Sequence, residues 1–176
     1  MTMKSRALLI GGTAGLGSVF AAPVMAAAPT TMDVTVNIPR LTVAEYHRPY
    51  VAFWVEKQGE APKTVAVWYD FDMKANEGTK WLRDMRQWWR VSGRSMTFPA
   101  RGVSSATRAP GSHKISFTRA QLGATAPGAY VLVVEAAREV GGRELLRIPF
   151  TWPARAGSGG NAQGQSELGL VSVAFR

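Results

Sequence analysis

"GAYVLVVEAAREVGGRELLRIPFTW", residues 128–152, decides the fold class. Two runs rich in aliphatic and β-branched side chains flank a Val-Gly-Gly punctuation, the pattern of a β-hairpin. A two-residue turn at Gly141-Gly142 would set Glu139 against Glu144, which repels. A three-residue loop, Val140-Gly141-Gly142, sets Glu139 opposite Arg143, Arg138 opposite Glu144 and Glu135 opposite Arg147, and all three pairs attract. That register also gathers Leu132, Val134 and Ala136 with Leu146, Ile148 and Phe150 on one face, and Gly142 supplies the left-handed residue such a loop needs. Charge and hydrophobic pattern agree on this register, which gives Glu135 and Arg147 a structural role.

Outward from the hairpin, the same short β-rich runs recur. "MDVTVNI" (32–38), "YVAFWVEK" (50–57), "KTVAVWY" (63–69), "HKISF" (113–117) and "ELGLVSVAFR" (167–176) are each bounded by turn residues. Val51, Phe53 and Val55 share a face, and Val65 and Val67 are expected to join them. With the hairpin this makes about seven strands, antiparallel by connection length. The expected fold is mainly β, an immunoglobulin-like sandwich. "PARAGSGGNAQGQSE" (153–167), poor in hydrophobic residues, is expected to be a flexible loop.

The chain has 176 residues, a formal net charge of +9 and no cysteine. Lys4 and Arg6 precede an uncharged stretch, Ala7 to Phe20, and Val24 and Ala26 stand at signal-peptidase spacing, so residues 1–26 read as a secretory leader. The apolar stretch is short of the ~20 residues a membrane span needs. Residues 27–176 then form one exported domain with no transmembrane span. Without cysteine there is no disulfide, thiol catalysis, iron–sulfur cluster or Cys-type zinc site. Export removes nucleic acid as a partner, and the basic charge points to anionic lipid, an acidic protein or an anionic small molecule.

One segment breaks the β pattern. "TKWLRDMRQWWR" (79–90), placed on a helix at about 100° per residue, puts Trp81, Leu82, Met85, Trp88 and Trp89 within an arc of roughly 120°. Lys80, Arg83, Arg86 and Arg90 fall on the other half with Gln87. The expectation is one inserted amphipathic helix, capped by Asn76 or Thr79, its indoles laid over an edge or one sheet and its guanidinium groups toward water. A second basic segment follows, and in "SSATRAPG" the residues Ser104, Ser105, Thr107 and Arg108 could together bind a carboxylate or phosphate.

Constellations of known chemistry are sparse. His47 and His113 make no His-x-x-x-His pair, and the methionines make no copper-type cluster. No nucleophile elbow surrounds a serine. Asp70, Asp72 and Glu77 alternate as in a calcium loop, but the glycine and last acid are misplaced.

"YVAFWVE", "KTVAVWY", "KWLRDMRQWWR", "SSATRAPGSHKISF" and "GAYVLVVEAAREVGGRELLRIPF", in that order, resemble the bacterial family called domain of unknown function 2271, over roughly residues 30–176. The family motif positions matched are Trp81, Leu82, Arg83, Trp88, Trp89, Thr107, Arg108, Pro110, Gly111, Glu135, Arg138 and Glu139. The resemblance implies a periplasmic location, an immunoglobulin-like fold and no established activity. It further implies an accessory role beside PepSY-type membrane proteins and flavin transferases, in iron, haem or flavin-linked electron transfer. The expectation is therefore a monomeric, non-enzymatic binding module with no metal and no catalytic residues. Its contact surface would be Lys80, Arg83, Arg86, Arg90, Trp88, Trp89, Thr107, Arg108 and Arg138. Two alternatives stand beside it: a carrier of an anionic ring such as flavin or haem in a Trp/Arg pocket, and an enzyme with a cleft around Arg108, Glu135 and Arg138.

Overall fold

The computed structural model describes Pro29, residues 31–124 and residues 126–176. The expected leader, residues 1–26, lies outside the described residues. The strands are β1 (Thr31–Ile38), β2 (Tyr50–Glu56), β3 (Lys63–Trp68), β4 (Ser104–Ser105), β5 (Gly111–Thr118), β6 (Gly128–Ala137), β7 (Arg143–Trp152), β8 (Gly159–Gln163) and β9 (Leu170–Phe175). They form a four-stranded sheet in the order β5-β1-β9-β8 and a five-stranded sheet in the order β4-β3-β2-β6-β7. The two sheets enclose one core. Met32, Val34, Val36, Phe117, Val171, Val173 and Phe175 come from the first, and Val51, Phe53, Trp68, Leu132, Val134, Ile148 and Phe150 from the second.

The count departs from the expected seven in two places. The added β4 runs parallel to β3, so the second sheet is not wholly antiparallel. The added β8 lies inside the segment expected to be a flexible loop and pairs with β9 from Gly159↔Ala174 to Gln163↔Leu170. Here glycine marks close approach: a Cβ on Gly159 would come within 1.9 Å of the Val173 carbonyl oxygen, and only a residue without one fits there.

The stretch between β8 and β9 is held from outside. The Glu144 carboxylate accepts from the backbone N–H groups of Gln165 (2.6 Å), Ser166 (3.1 Å) and Leu168 (2.8 Å). Burial alone would raise the pKa of Glu144; the N–H groups of Gln165, Leu168 and Ser166 outweigh it and hold the carboxyl below its ordinary value. With the folded pKa depressed, this stabilisation is complete above the unfolded value of about 4.3. It is lost as pH falls through the folded value. Glu144→Gln is expected to lower the hydrogen-exchange protection factors of Gln165, Ser166 and Leu168 at neutral pH, and acid to lower them in the unsubstituted protein, each measured against the intrinsic exchange rate at that pH. Undiminished protection of these amides in the variant would contradict the capping role.

The hairpin of β6 and β7 keeps its expected faces but not its expected register. Ala137 stands opposite Arg143, Glu135 opposite Leu145 and Val133 opposite Arg147. The loop is Arg138–Gly142, two residues longer than expected, and Val140 takes the left-handed conformation at φ 51°. A shift of two residues leaves the inward set unchanged, because side chains alternate with a period of two. None of the three expected charge pairs forms. Glu135 pairs with Arg143, Arg138 with Glu167, and Arg147 with Glu56. Alternation in β3 is also reset. A bulge against Phe53/Trp54 in β2 turns Val65 and Ala66 both inward, and Val67 faces out instead of joining Val65.

Candidate functional site

The five-stranded sheet is covered on both faces, which explains why every residue of β2 before Glu56 is buried. Tyr50, Ala52, Trp54, Val67, Tyr69, Val133 and Ala137 face away from the inter-sheet core and meet Leu82, Met85 and Trp88 of the inserted segment. The fully buried Leu82 and Met85 side chains contribute about 1.5–3 kcal/mol each. The indole stripe is thus a packing face laid on one sheet. Trp88 is fully buried, Trp81 and Trp89 partly.

The insertion is not one helix. 3-10 turns span Lys74–Asp84 with a kink at left-handed Ala75 and Asn76, Met85 ends them at ψ 73°, and an α-helix, α1, runs Arg86–Val91. Neither Asn76 nor Thr79 provides a side-chain cap: Asn76 sits at the kink at φ 56°, and the Thr79 hydroxyl donates to the Asn76 carbonyl. The break frees the first N–H groups of α1, and a carboxylate meets them. Glu135, on β6 and 0 % exposed, accepts from Gln87 N–H (3.1 Å) and Trp88 N–H (2.7 Å), while Arg143 donates to it at 2.7 Å. An anion at a helix start is stabilised by the unpaired N–H groups there.

The expected contact residues divide. Lys80, Arg83, Arg86 and Arg90 are all exposed. Lys80 pairs with Glu77 and Arg90 donates to Gln87, whereas Arg83 and Arg86 have no ion-pair partner among the described residues. Because Met85 breaks the helix, these cations do not share a single helical stripe. Trp88 donates its indole N–H to the Thr64 hydroxyl at 3.0 Å. Thr107, buried, donates to Asp70 at 2.9 Å. The Arg108 guanidinium lies over the Trp68 ring, 5.2 Å from its centroid. Arg138 is buried against Glu167.

What the fold does bring together is a cleft of about 230 Å³ at one end of the β2–β6 pair, lined by His47, Arg48, Tyr50, Asp70, Trp81, Asp84, Thr107, Ala137 and Glu139. His47 is 2.8 Å from Glu45 and 3.7 Å from Glu139. Tyr50 is only 7 % exposed, and its hydroxyl has no hydrogen-bond partner. Burial first, and then the Asp70 carboxylate, push its pKa well above the ordinary phenol value. Of these residues the sequence reading singled out Trp81, Thr107 and Glu139 as motif positions. It missed Tyr50, Arg48 and Asp84, which come from separate segments with no common spacing. A wider hollow of about 530 Å³ opens at the opposite end of β2–β6, beside Lys57, Tyr130 and Arg147, but Lys57 already lies over the Tyr130 ring and Arg147 is paired with Glu56. Among the described residues no group of three or more His, Asp or Glu side chains is placed to hold a metal ion, and no helix is long and apolar enough to cross a membrane.

A family model described as "Predicted periplasmic protein (DUF2271)" matches residues 31–170. No curated protein and no solved structure matches the chain.

Proposed function

This chain belongs to DUF2271, a family of predicted periplasmic proteins, and from that premise we propose that it is a non-enzymatic binding module on an immunoglobulin-like sandwich. It docks through the basic outer side of the inserted segment onto an acidic face of an inner-membrane redox protein of the PepSY type. The observation that carries this reading is the pair Arg83 and Arg86, exposed on either side of the Met85 break without an ionic partner among the described residues. The opposite side of the same segment is used up by Leu82, Met85 and Trp88 in packing, so the cations add nothing to the core. Exposed charges of this kind contribute about 0–1 kcal/mol to folding when paired and less when alone. They do steer and specify association with a complementary surface.

Reversing Arg83, Arg86 and Arg90 together to glutamate is expected to abolish recovery of the membrane partner in a pull-down from gently solubilised envelope. The thermal midpoint should stay where it was. Binding by the unsubstituted protein should weaken with added salt, since exposed charges are screened beyond about 8 Å at physiological ionic strength. Equal recovery by variant and parent would overturn the proposal.

A further inference from the structure

The cleft between Tyr50 and Trp81 is chemically unlike the rest of this molecule. In a chain of net charge +9, its walls carry three carboxylates, Asp70, Asp84 and Glu139, against one arginine, Arg48, with His47 engaged by Glu45 and Glu139. At its floor the Tyr50 phenol is more than nine-tenths buried and its hydroxyl is unpartnered. Asp70 and Glu139 both act electrostatically on that hydroxyl, and the Asp70 backbone N–H and carboxylate come near it, which places it among the cleft acids, yet neither group of Asp70 reaches good hydrogen-bond geometry. A buried hydroxyl without a well-formed hydrogen bond costs about 1–3 kcal/mol, so a donor group that bridges the phenol oxygen and the Asp70 carboxylate, with the phenol O–H turned to that carboxylate, would be favoured here. Asp70 is fixed in place by Thr107, which donates to one of its oxygens. A neighbouring hollow that adds Asp72 shares Arg48, Asp70 and Thr107 with the cleft, so the acidic surface continues outward.

We propose that this cleft binds an organic cation, a primary ammonium or guanidinium group, with Tyr50 and Asp70 accepting its N–H donors and the Trp81 ring lying against it. Three features agree on the sign. Carboxylates outnumber fixed cations in the lining. Charge-assisted hydrogen bonds to carboxylates are about twice as strong as neutral ones. An indole face favours a cation. The volume suits one amine or guanidine head with its alkyl stem, offered either by a small free amine or by a lysine or arginine of a protein partner. This site does not depend on the docking surface proposed above, whose residues Arg83, Arg86 and Arg90 do not line it.

The test is calorimetric titration of the exported chain with putrescine, with an N-acetyl-lysine amide, and with propanol as a neutral control. Saturable binding of at least one amine and none of propanol is expected. Asp70→Asn should weaken the amine by about tenfold, the loss of one charge-assisted bond. Tyr50→Phe should weaken it several-fold while leaving the thermal midpoint unchanged or higher, because it removes a buried hydroxyl that makes no well-formed hydrogen bond in the fold. That split separates a binding role from a packing role. Putrescine alone binding identifies a free amine as the ligand; equal binding of the lysine derivative identifies a protein side chain. No saturable binding of either amine, binding of propanol equal to theirs, or binding indifferent to Asp70→Asn and Tyr50→Phe in folded variants would overturn the assignment.

Discussion

Glu135→Ala is expected to destabilise the protein by about 3–5 kcal/mol, the usual loss when one partner of a buried ionic cluster is removed. The carboxylate is wholly buried and serves three donors at once: Gln87 N–H, Trp88 N–H and Arg143. Its removal leaves the buried Trp88 amide without an acceptor, a cost of about 1–3 kcal/mol for that group alone. It also removes the hydrogen bonds that tie β6 to the start of α1. Arg143 is 42 % exposed on its side chain and can rehydrate, so Arg143→Ala should cost much less than the glutamate substitution. Glu135→Gln should fall between, since one amide oxygen can still accept. Denaturant unfolding of the three variants measures the order, and near-ultraviolet circular dichroism reports whether Trp88 stays docked. A loss under about 1 kcal/mol for Glu135→Ala would show that solvent can take over the cap.

The ranking also explains what was legible beforehand. Hydrophobic alternation is unchanged by an even shift of register, so Leu132, Val134, Ala136, Leu146, Ile148 and Phe150 could be placed on one face while the register itself was wrong by two. The charges were the only local discriminator, and their true partners are remote: Glu56 for Arg147, Glu167 for Arg138, and backbone N–H groups near Ser166 for Glu144. The amphipathic segregation of residues 79–90 was legible for the same reason that the sheet faces were. The break at Met85 was not, because the acceptor that sustains it, Glu135, lies nearly fifty positions away. The GGNAQ strand was missed because composition treats glycine as freedom, whereas at Gly159 it marks a backbone pressed against Val173. The Tyr50 cleft draws on five separate stretches, and only tertiary structure puts Asp70, Asp84 and Glu139 beside one phenol.

Arg138 and Glu167 provide the second large effect. Both side chains are almost fully buried. Arg138 Nε donates to Glu167 Oε2 at 3.0 Å and Nη2 to Oε1 at 3.2 Å, a two-point contact, and Gly142 N–H adds a third bond to Oε1 at 2.9 Å. The pair is folded so closely over the loop that a Cβ on Gly141 would lie 2.4 Å from the guanidinium carbon and one on Gly142 2.7 Å from Glu167 Oε1, so both glycines mark close approach. Arg138→Met or Glu167→Gln alone is expected to cost about 3–5 kcal/mol, because each strands the other's charge out of water. The double variant Arg138→Met/Glu167→Leu should lose far less than the sum, since two apolar groups of similar size can replace a buried ion pair with little net cost. If the losses simply add, the two residues act independently and the pairing is incidental. If the double variant recovers stability, the pair's function is positional. It ties the β6–β7 loop to the segment ahead of β9 and, through Arg138 Nη1 at 3.5 Å from the Glu45 carbonyl, to the stretch that carries His47. Glu139, the next residue after Arg138, is a wall of the acidic cleft. The stable double variant should therefore bind amine more weakly than the parent, and that weakening would reveal how the cleft's geometry is set from behind.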